Sequence, residues 1–545
     1  MADVTRVLSS QTRTTALASQ VPRVLKLPQL AIELAQIRQF SDGGSLTVHL
    51  ALPPPTSGSR GYDVLYAAIH WLNDNTLIDI FNSYRLDEDN GWNERLGWRK
   101  LSHVCQRWRH LIYDSTFHLG MHIHCTHGTP TVDTLDHLPP LPLLVDYRHT
   151  GVTIQKKDEI GMHHALRLRD RVRQIDLNLP PSILPRCLVL MDEHFPILEH
   201  LSLSFPGNKF TTLTLPKTFL APNLRYLALP AISPPKRLRL FTSTVLLITL
   251  VLQNIQTSSY FRPRLLVSRL SSLPQLEELS IGFSIPILRP STERELLGEL
   301  GTPVTLPNLK IFKFQGVGAY LESFVAQIRV PLLNRIDITL FNQIAFALPH
   351  LSHLINITEG LKLPTVMISF NPDDISITTA EHCLPWSDRP FRLRVMCKQL
   401  DWQIDCAAQI CSMLIPEPSD VERFKLDFYG TTLPNELRDG GIDCTTWHEL
   451  FSSFIGVEEL HLCPGLLEEL SQALQADEVG SNPGFLPNLQ NIICVASGNN
   501  LFASFIDARR VLTGRRIQFL SPLAWRRRIT TRLARSWAAG GNNHA

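Results

Sequence analysis

Near the N-terminus of this chain, apolar residues recur at helical spacing. In Ile69–Tyr84, the residues Leu77, Ile80, Phe81 and Tyr84 fall at i, i+3, i+4 and i+7, which places them on one side of a helix. Asn73 or Asn75 supplies its start, because a short side-chain oxygen accepts from first-turn amides that have no partner inside the helix. Asn90-Gly91 marks a turn in the polar loop that follows. Beyond it, Trp98, Leu101, Cys105, Trp108 and Ile112 recur at steps of 3, 4, 3 and 4, and Val104 and Leu111 widen the stripe. Arg99, Lys100, Gln106, Arg107 and Arg109 lie largely outside it. The spacing predicts a second amphipathic helix with both tryptophans on its buried side.

From about residue 167 to 497 the pattern changes to apolar-x-x-apolar-x-apolar, often introduced by Pro-x-Leu. It runs Val172-Ile175-Leu177, Leu198-Leu201-Leu203, Leu224-Leu227-Leu229, Leu247-Leu250-Leu252, Leu276-Leu279-Ile281, Leu309-Phe312-Phe314 and Leu333-Ile336-Ile338. After a gap it returns at Val421-Phe424-Leu426, Val457-Leu460-Leu462 and Leu489-Ile492-Cys494. Steps between first positions, up to 333, are 26, 26, 23, 29, 33 and 24. These lie in or near the leucine-rich-repeat range of about 20–29 residues.

The final apolar-x-apolar suits a short strand with both side chains facing inward. Stacked in register, such strands form a parallel sheet in which each unit covers its neighbour. The 88-residue jump from 333 to 421 has room for about two weaker copies, around Val366-Met367-Ile368 and Leu393-Arg394-Val395. The asparagine of regular repeats, eight residues after the first leucine, is replaced by Pro206, Ile232 and Ser284. The expectation is therefore an irregular horseshoe, with helical connectors such as 291–300 and 447–455 on its outer side. Exposed residues of the inner strands would face a client.

The two N-terminal helices carry more apolar surface than they can cover alone. A unit of roughly 45–50 residues sits near the lower limit for independent folding, and each large buried side chain contributes about 1.5–3 kcal/mol. Either the rest of the chain packs on them or a partner does. The stretch resembles an F-box, specifically the F-box-like family of basidiomycete fungi. The matching residues are Ile69, Leu72, Leu77, Ile80 and Phe81, then Trp98-Arg99-Lys100-Leu101 and Val104-Cys105-Gln106-Arg107-Trp108-Arg109. The continuation from Cys125 to Arg148 resembles the segment that follows the F-box in that family. The Leu-Pro-x-Glu opening of the family reads Leu72-Asn73-Asp74-Asn75 here.

The resemblance implies docking to the Skp-family adaptor of a cullin–RING ubiquitin ligase through Ile69, Leu72, Leu77, Ile80, Phe81, Val104, Trp108 and Leu111, as apolar anchors at helical spacing. Trp108 serves equally as internal core. The fold class expected is α+β, a small helical F-box followed by an irregular leucine-rich-repeat-like solenoid. Its parts are an arm over 1–62, the F-box-like module over 63–118, a client-binding body over 119–505 and a basic tail from 506 to 545. The alternative is a leucine-rich interaction scaffold whose degenerate F-box joins no ligase.

Composition narrows the partners. With 44% hydrophobic and 19% charged residues, the chain is of folded rather than disordered type. Its 52 basic and 50 acidic residues leave a formal charge of +2, so no global field draws nucleic acid or an anionic membrane. The sequence has no apolar run of secretory type near its start and none of about 18 residues anywhere. A cytoplasmic or nuclear protein with ten reduced cysteines is expected.

Candidate chemistry is sparse. His118, His122, His124, Cys125 and His127 suggest a metal cluster, but His122 and His124 alternate with Met121, Ile123 and Cys125 as in a strand with one polar side. Cys406 and Cys411 are too far apart for a CxxC pair, and Gly316-Val317-Gly318 lacks the third glycine of a dinucleotide loop. No cofactor, metal or enzymatic activity is expected. The tail sets Arg509, Arg510, Arg515, Arg516, Arg526, Arg527, Arg528, Arg532 and Arg535 against Asp507 alone, either as a solvated end or as a patch for an acidic partner, for RNA or for nuclear import.

Overall fold

In the computed structural model, the residues described are 72–88, 101–115, 121–138, 140–148, 154–206, 213–233, 239–256, 261–284, 302–341, 346–361, 364–380, 389–415, 418–428, 444–467, 470–471 and 486–494, with short pieces between 502 and 521. Ile69, Trp98, His118 and all of the arginines named in the tail except Arg510 lie outside them. Contacts divide the chain into two units, Met1–His122 and Ile123–Ala545.

In the first unit a helix spans Asp74–Glu88. Asn73 caps it, its Oδ1 accepting from Thr76 N at 2.8 Å and Thr76 Oγ1 at 2.9 Å. The second helix is shorter than its periodicity predicts. It spans Gln106–Asp114, because the chain turns at 103–104 and Cys105 is extended at φ −156°. Cys105 is thus the N-cap, with Sγ accepting from Trp108 N at 3.4 Å. The 3–4 spacing continues through this break, which is why periodicity alone reads one helix where there is a cap.

The second unit is built on a sheet. Its strands in chain order are β1 Ile123–Thr126, β2 Leu143–Arg148, β3 Val172–Asn178, β4 His200–Ser204, β5 Leu213–Thr214, β6 Tyr226–Ala228, β7 Ile232–Ser233, β8 Thr249–Ile255, β9 Glu278–Phe283 and β10 Val304–Thr305. Then come β11 Ile311–Gly316, β12 Ile328–Arg329, β13 Arg335–Phe341, β14 Thr365–Phe370, β15 Asp374–Ala380, β16 Phe391–Met396, β17 Arg423–Phe428, β18 Glu459–Leu462, β19 Asn491–Cys494 and β20 Gln518–Leu520. Sixteen of them form one sheet, while β5–β7 and β10–β12 make separate short parallel pairs.

The apolar signature sets the register. Ile175, Leu201, Leu227, Leu250, Leu279, Phe312 and Ile336 stand opposite one another across seven parallel strands, and all are fully buried. Phe424, Leu460 and Ile492 repeat the arrangement later. Helices cover this face: Phe312 stacks on Phe324 of the Gly318–Val325 helix at 5.5 Å, and Phe424 meets Phe451 and Phe454 at 5.6 and 4.6 Å. The architecture is a leucine-rich-repeat-like parallel stack. The sheet also extends beyond the predicted repeats, because β1 and β2 pair ahead of β3, and β20 pairs in parallel with β19.

Two devices join neighbouring units. Ahead of several strands, one carbonyl accepts from two successive amides of the next unit. Glu199, Arg225, Ile248, Glu277 and Lys310 all do this, at 2.8 to 3.1 Å. The second device is an asparagine just before the first leucine. Asn223, Asn308 and Asn488 donate from Nδ2 to the carbonyls of Pro196, Pro274 and Ile455 in the preceding unit, at 2.7, 2.8 and 2.9 Å.

The 88-residue gap is not two further copies in sequence order. The sheet runs β13-β16-β15-β14-β17, with β15 antiparallel to both neighbours. Phe391 and Leu393, rather than Leu393 and Val395, take the repeat positions beside Ile336 and Ile338. The chain therefore passes over two strand positions, doubles back through a hairpin and returns along the Leu400–Leu414 helix to β17.

Candidate functional site

In the first unit the structure divides the eight predicted docking residues. Leu77, Phe81 and Trp108 are buried, at 1, 2 and 4% exposure. Leu72, Ile80, Val104 and Leu111 are half-buried, and Ile69 is outside the described residues. Phe81 and Trp108 form an edge-to-face pair with centroids 4.9 Å apart. Arg107, read in sequence as a residue outside the stripe, ties the helices together. Its Nη2 donates to Leu72 O at 2.6 Å and to Asp74 Oδ1 at 2.7 Å. The signal for this clamp was the lone acid in the first turn of the first helix.

In the second unit, strands β2, β3, β4, β8, β11 and β13 largely alternate buried and more exposed positions, so the face away from the helices is open there, whereas Ala228 of β6 and every residue of β9 after Glu278 are buried. Its side chains fall into three groups. On β2 to β6, Arg148 bridges Asp146 (Nε–Oδ1 3.3 Å) and Asp176 (Nη2–Oδ2 2.9 Å). His200 lies parallel to Tyr226, with ring centroids 4.2 Å apart and planes at 2°. Burial pushes Asp176 up despite Arg148, and pushes His200 down despite Asp176, so lost hydration outweighs the ion pairing at both.

The middle group is short: Ala228, Val251 and Ser280 share one row, and Gln253 Nε2 donates to Ser280 Oγ at 3.2 Å. The third group is charged again, with Lys313 Nζ 2.7 Å from Glu278, and Asp337 opposite Arg392. The open face ends at the hairpin. Met367, Ser376 and Thr378, which share its row positions, are buried, so β14 and β15 are closed on both sides.

His122 and His124 take the half-exposed side of the first strand and Met121, Ile123 and Cys125 its buried side, as their alternation predicts. Glycine 316 is explained by packing: a Cβ there would lie 2.8 Å from the Phe314 ring and 2.9 Å from Phe283. No helix among the described residues is long and apolar enough to cross a membrane.

No protein-family model matches this chain, and no curated protein does. A leucine-rich-repeat protein from Leptospira interrogans is similar at 13% identity, with 72% of this chain and 99% of that chain covered and a TM-score of 0.25. A likeness of that size carries no argument, and the repeat architecture rests on the strand register described above.

Proposed function

We propose that this chain is a protein-binding adaptor that holds a client on the open face of its repeat sheet. The observation that supports this is the set of half-exposed charged and aromatic side chains on β2 to β6 and again from Glu278 to β13, separated by the buried Ala228 and Ser280. Balanced acids and bases with one aromatic pair suit recognition of a folded protein surface, where charge placement selects the partner. On the finer reading, the N-terminal helices dock to a Skp-family adaptor and so deliver the client to a cullin–RING ubiquitin ligase. The supports for that reading are the F-box-like residues and the four half-buried apolar side chains Leu72, Ile80, Val104 and Leu111. The chain itself makes no bond; it raises the client's effective concentration near the conjugating enzyme.

Co-expression with a Skp-family adaptor tests the ligase reading. A 1:1 complex is expected, and the double change Ile80→Asp with Val104→Asp abolishes it without altering the circular dichroism spectrum. Leu77 and Trp108 are the wrong positions for this purpose, because their burial makes any substitution a folding change. Burial of Leu77, Phe81 and Trp108 favours the second reading, a scaffold that joins no ligase. A chain that is soluble alone and ignores the adaptor at micromolar concentration would establish that one instead.

A further inference from the structure

Charge is divided unevenly along the open face. From β2 to β9 its described strand residues carry three acids, Asp146, Asp176 and Glu278, against one base, Arg148. Arg173 and Glu199 pair with each other at the strand entries, Nη2 to Oε2 at 3.0 Å, and cancel. His200 adds no charge near neutral pH, since burial lowers its pKa. On β11, β13, β16 and the adjoining start of β15, four bases, Lys313, Arg335, Arg392 and Arg394, stand against Asp337 and Asp374. One half of the face is therefore acidic and the other basic. They meet where Lys313 Nζ bonds Glu278 Oε1 at 2.7 Å.

On the acidic side of this boundary lies a slot. Tyr226, Thr249 and Glu278 hold matching register positions on β6, β8 and β9. The Cα atoms of Tyr226 and Glu278 are thus two strand spacings apart, about 10 Å, with the smaller, half-exposed Thr249 between them. The parallel stack with His200 on β4 takes one face of the Tyr226 ring, which turns the other toward Thr249. We propose that the open face takes a client segment running across the strands, basic over β2–β9 and acidic over β11–β16, with one lysine or arginine seated between Tyr226 and Glu278. This rests on the reading of the open face as the client site.

Each part of the slot has a role. A cation over the second ring face is drawn by the π electrons, and the Glu278 carboxylate lies on its far side. The methylene stem of a long basic side chain packs on Ala228 and Val251, which share the next row of the sheet. A segment of uniform charge meets like charge on one half of the face and is disfavoured there. From β3 through β4, β6, β8, β9, β11 and β13 to β16 are seven strand spacings. At about 4.8 Å each they cover about 34 Å, the reach of about ten extended residues.

Fluorescence polarisation with the full chain and labelled synthetic peptides of that length tests this. The block probe has lysines in one half and glutamates in the other; the control has the same residues in alternation. The block probe should bind about tenfold tighter, because each ordered surface ion pair adds a factor of about 1.4 to 5. Tyr226→Leu and Glu278→Gln should each weaken it about two- to fivefold. Thr249→Lys, which fills the slot with a cation and truncates nothing, should weaken it as well; urea unfolding of each variant confirms an intact fold. Val251→Trp, a bulky change on the same face, separates the failures. If it blocks both peptides but they bind equally, the charge order is wrong and the open face still stands as the client site. Should both peptides bind regardless of Val251→Trp, the open face does not hold them and the client-face reading falls with the proposal. A block probe that shows no binding up to millimolar concentration overturns the proposal alone, since the client-face reading specifies no charge order.

Discussion

His461 occupies the non-helix side of β18 but is only 6% exposed, and Glu459, 3.8 Å from its Nε2, does not make up for the lost hydration. Burial lowers its pKa, and does the same at His200 and His163. The sign follows directly. A histidine held neutral in the fold takes up fewer protons than the unfolded chain, so its stabilisation is present above about pH 6.5 and lost as pH falls below that value. The melting temperature should drop on acidification from pH 7.5 to 5.5, and His461→Asn should flatten that slope; an unchanged slope would refute the assignment. The asparagine bridges give a second residue-scale test. Asn223→Ala, Asn308→Ala and Asn488→Ala should each cost about 0.5–1.5 kcal/mol in urea unfolding. Their role was hidden in sequence because each asparagine is the variable position of the Pro-x-Leu lead-in, one residue before the pattern begins. β1 was legible as a strand from its alternation, but neither it nor β2 carries the repeat signature, whose positions there read His122-Cys125-His127 and Pro142-Val145-Tyr147.

Between elements, close approach and borrowed caps decide what can change. Gly456 lies where a Cβ would stand 1.7 Å from the Ser419 carbonyl oxygen. Gly456→Ala should therefore destabilise by about 1–3 kcal/mol, the usual scale of overpacking, and lower the melting temperature accordingly. The Pro349–Ile357 helix has no cap of its own, since Leu348 precedes it. Glu322 from the neighbouring helix accepts instead from His350 N and Leu351 N, each at 2.9 Å. Glu322→Ala should cost about 1 kcal/mol, and Glu322→Gln less, because burial already pushes this carboxyl up toward its neutral form. The existence of strands in the gap was legible from Val366-Ile368 and Leu393-Val395, yet their direction was not. An apolar-x-apolar strand reads the same forwards and backwards, so Ile375 and Ile377 on the antiparallel strand look like one more repeat.

Across the whole second unit, adjacency in the sheet follows adjacency in sequence from β1 to β13 and again from β17 to β20, with only short separate pairs set aside. Such stretches are sums of nearest-neighbour terms and open from their ends. The β13–β17 block differs, since β13 pairs with β16 and β14 with β17, so its strands are tied by pairings that skip over intervening strands. Hydrogen exchange should show β14, β15, β16 and β17 protected as one cooperative group, with graded protection elsewhere; graded protection within the group would contradict this. The client face belongs to this scale as well. Its open part was expected from the strand pattern, but the particular side chains depend on register, which only the folded sheet displays.

The doubled-back hairpin also bears on how such a molecule can grow. A copied or deleted unit in the run before β13 simply lengthens or shortens the row, because each exit point leads straight to the next place. At the hairpin that freedom ends: a duplicated segment there would arrive with two places already filled and no route to an empty one. Length variation among descendants of this chain, or in engineered versions of it, is therefore open on either side of the reversal and barred within it.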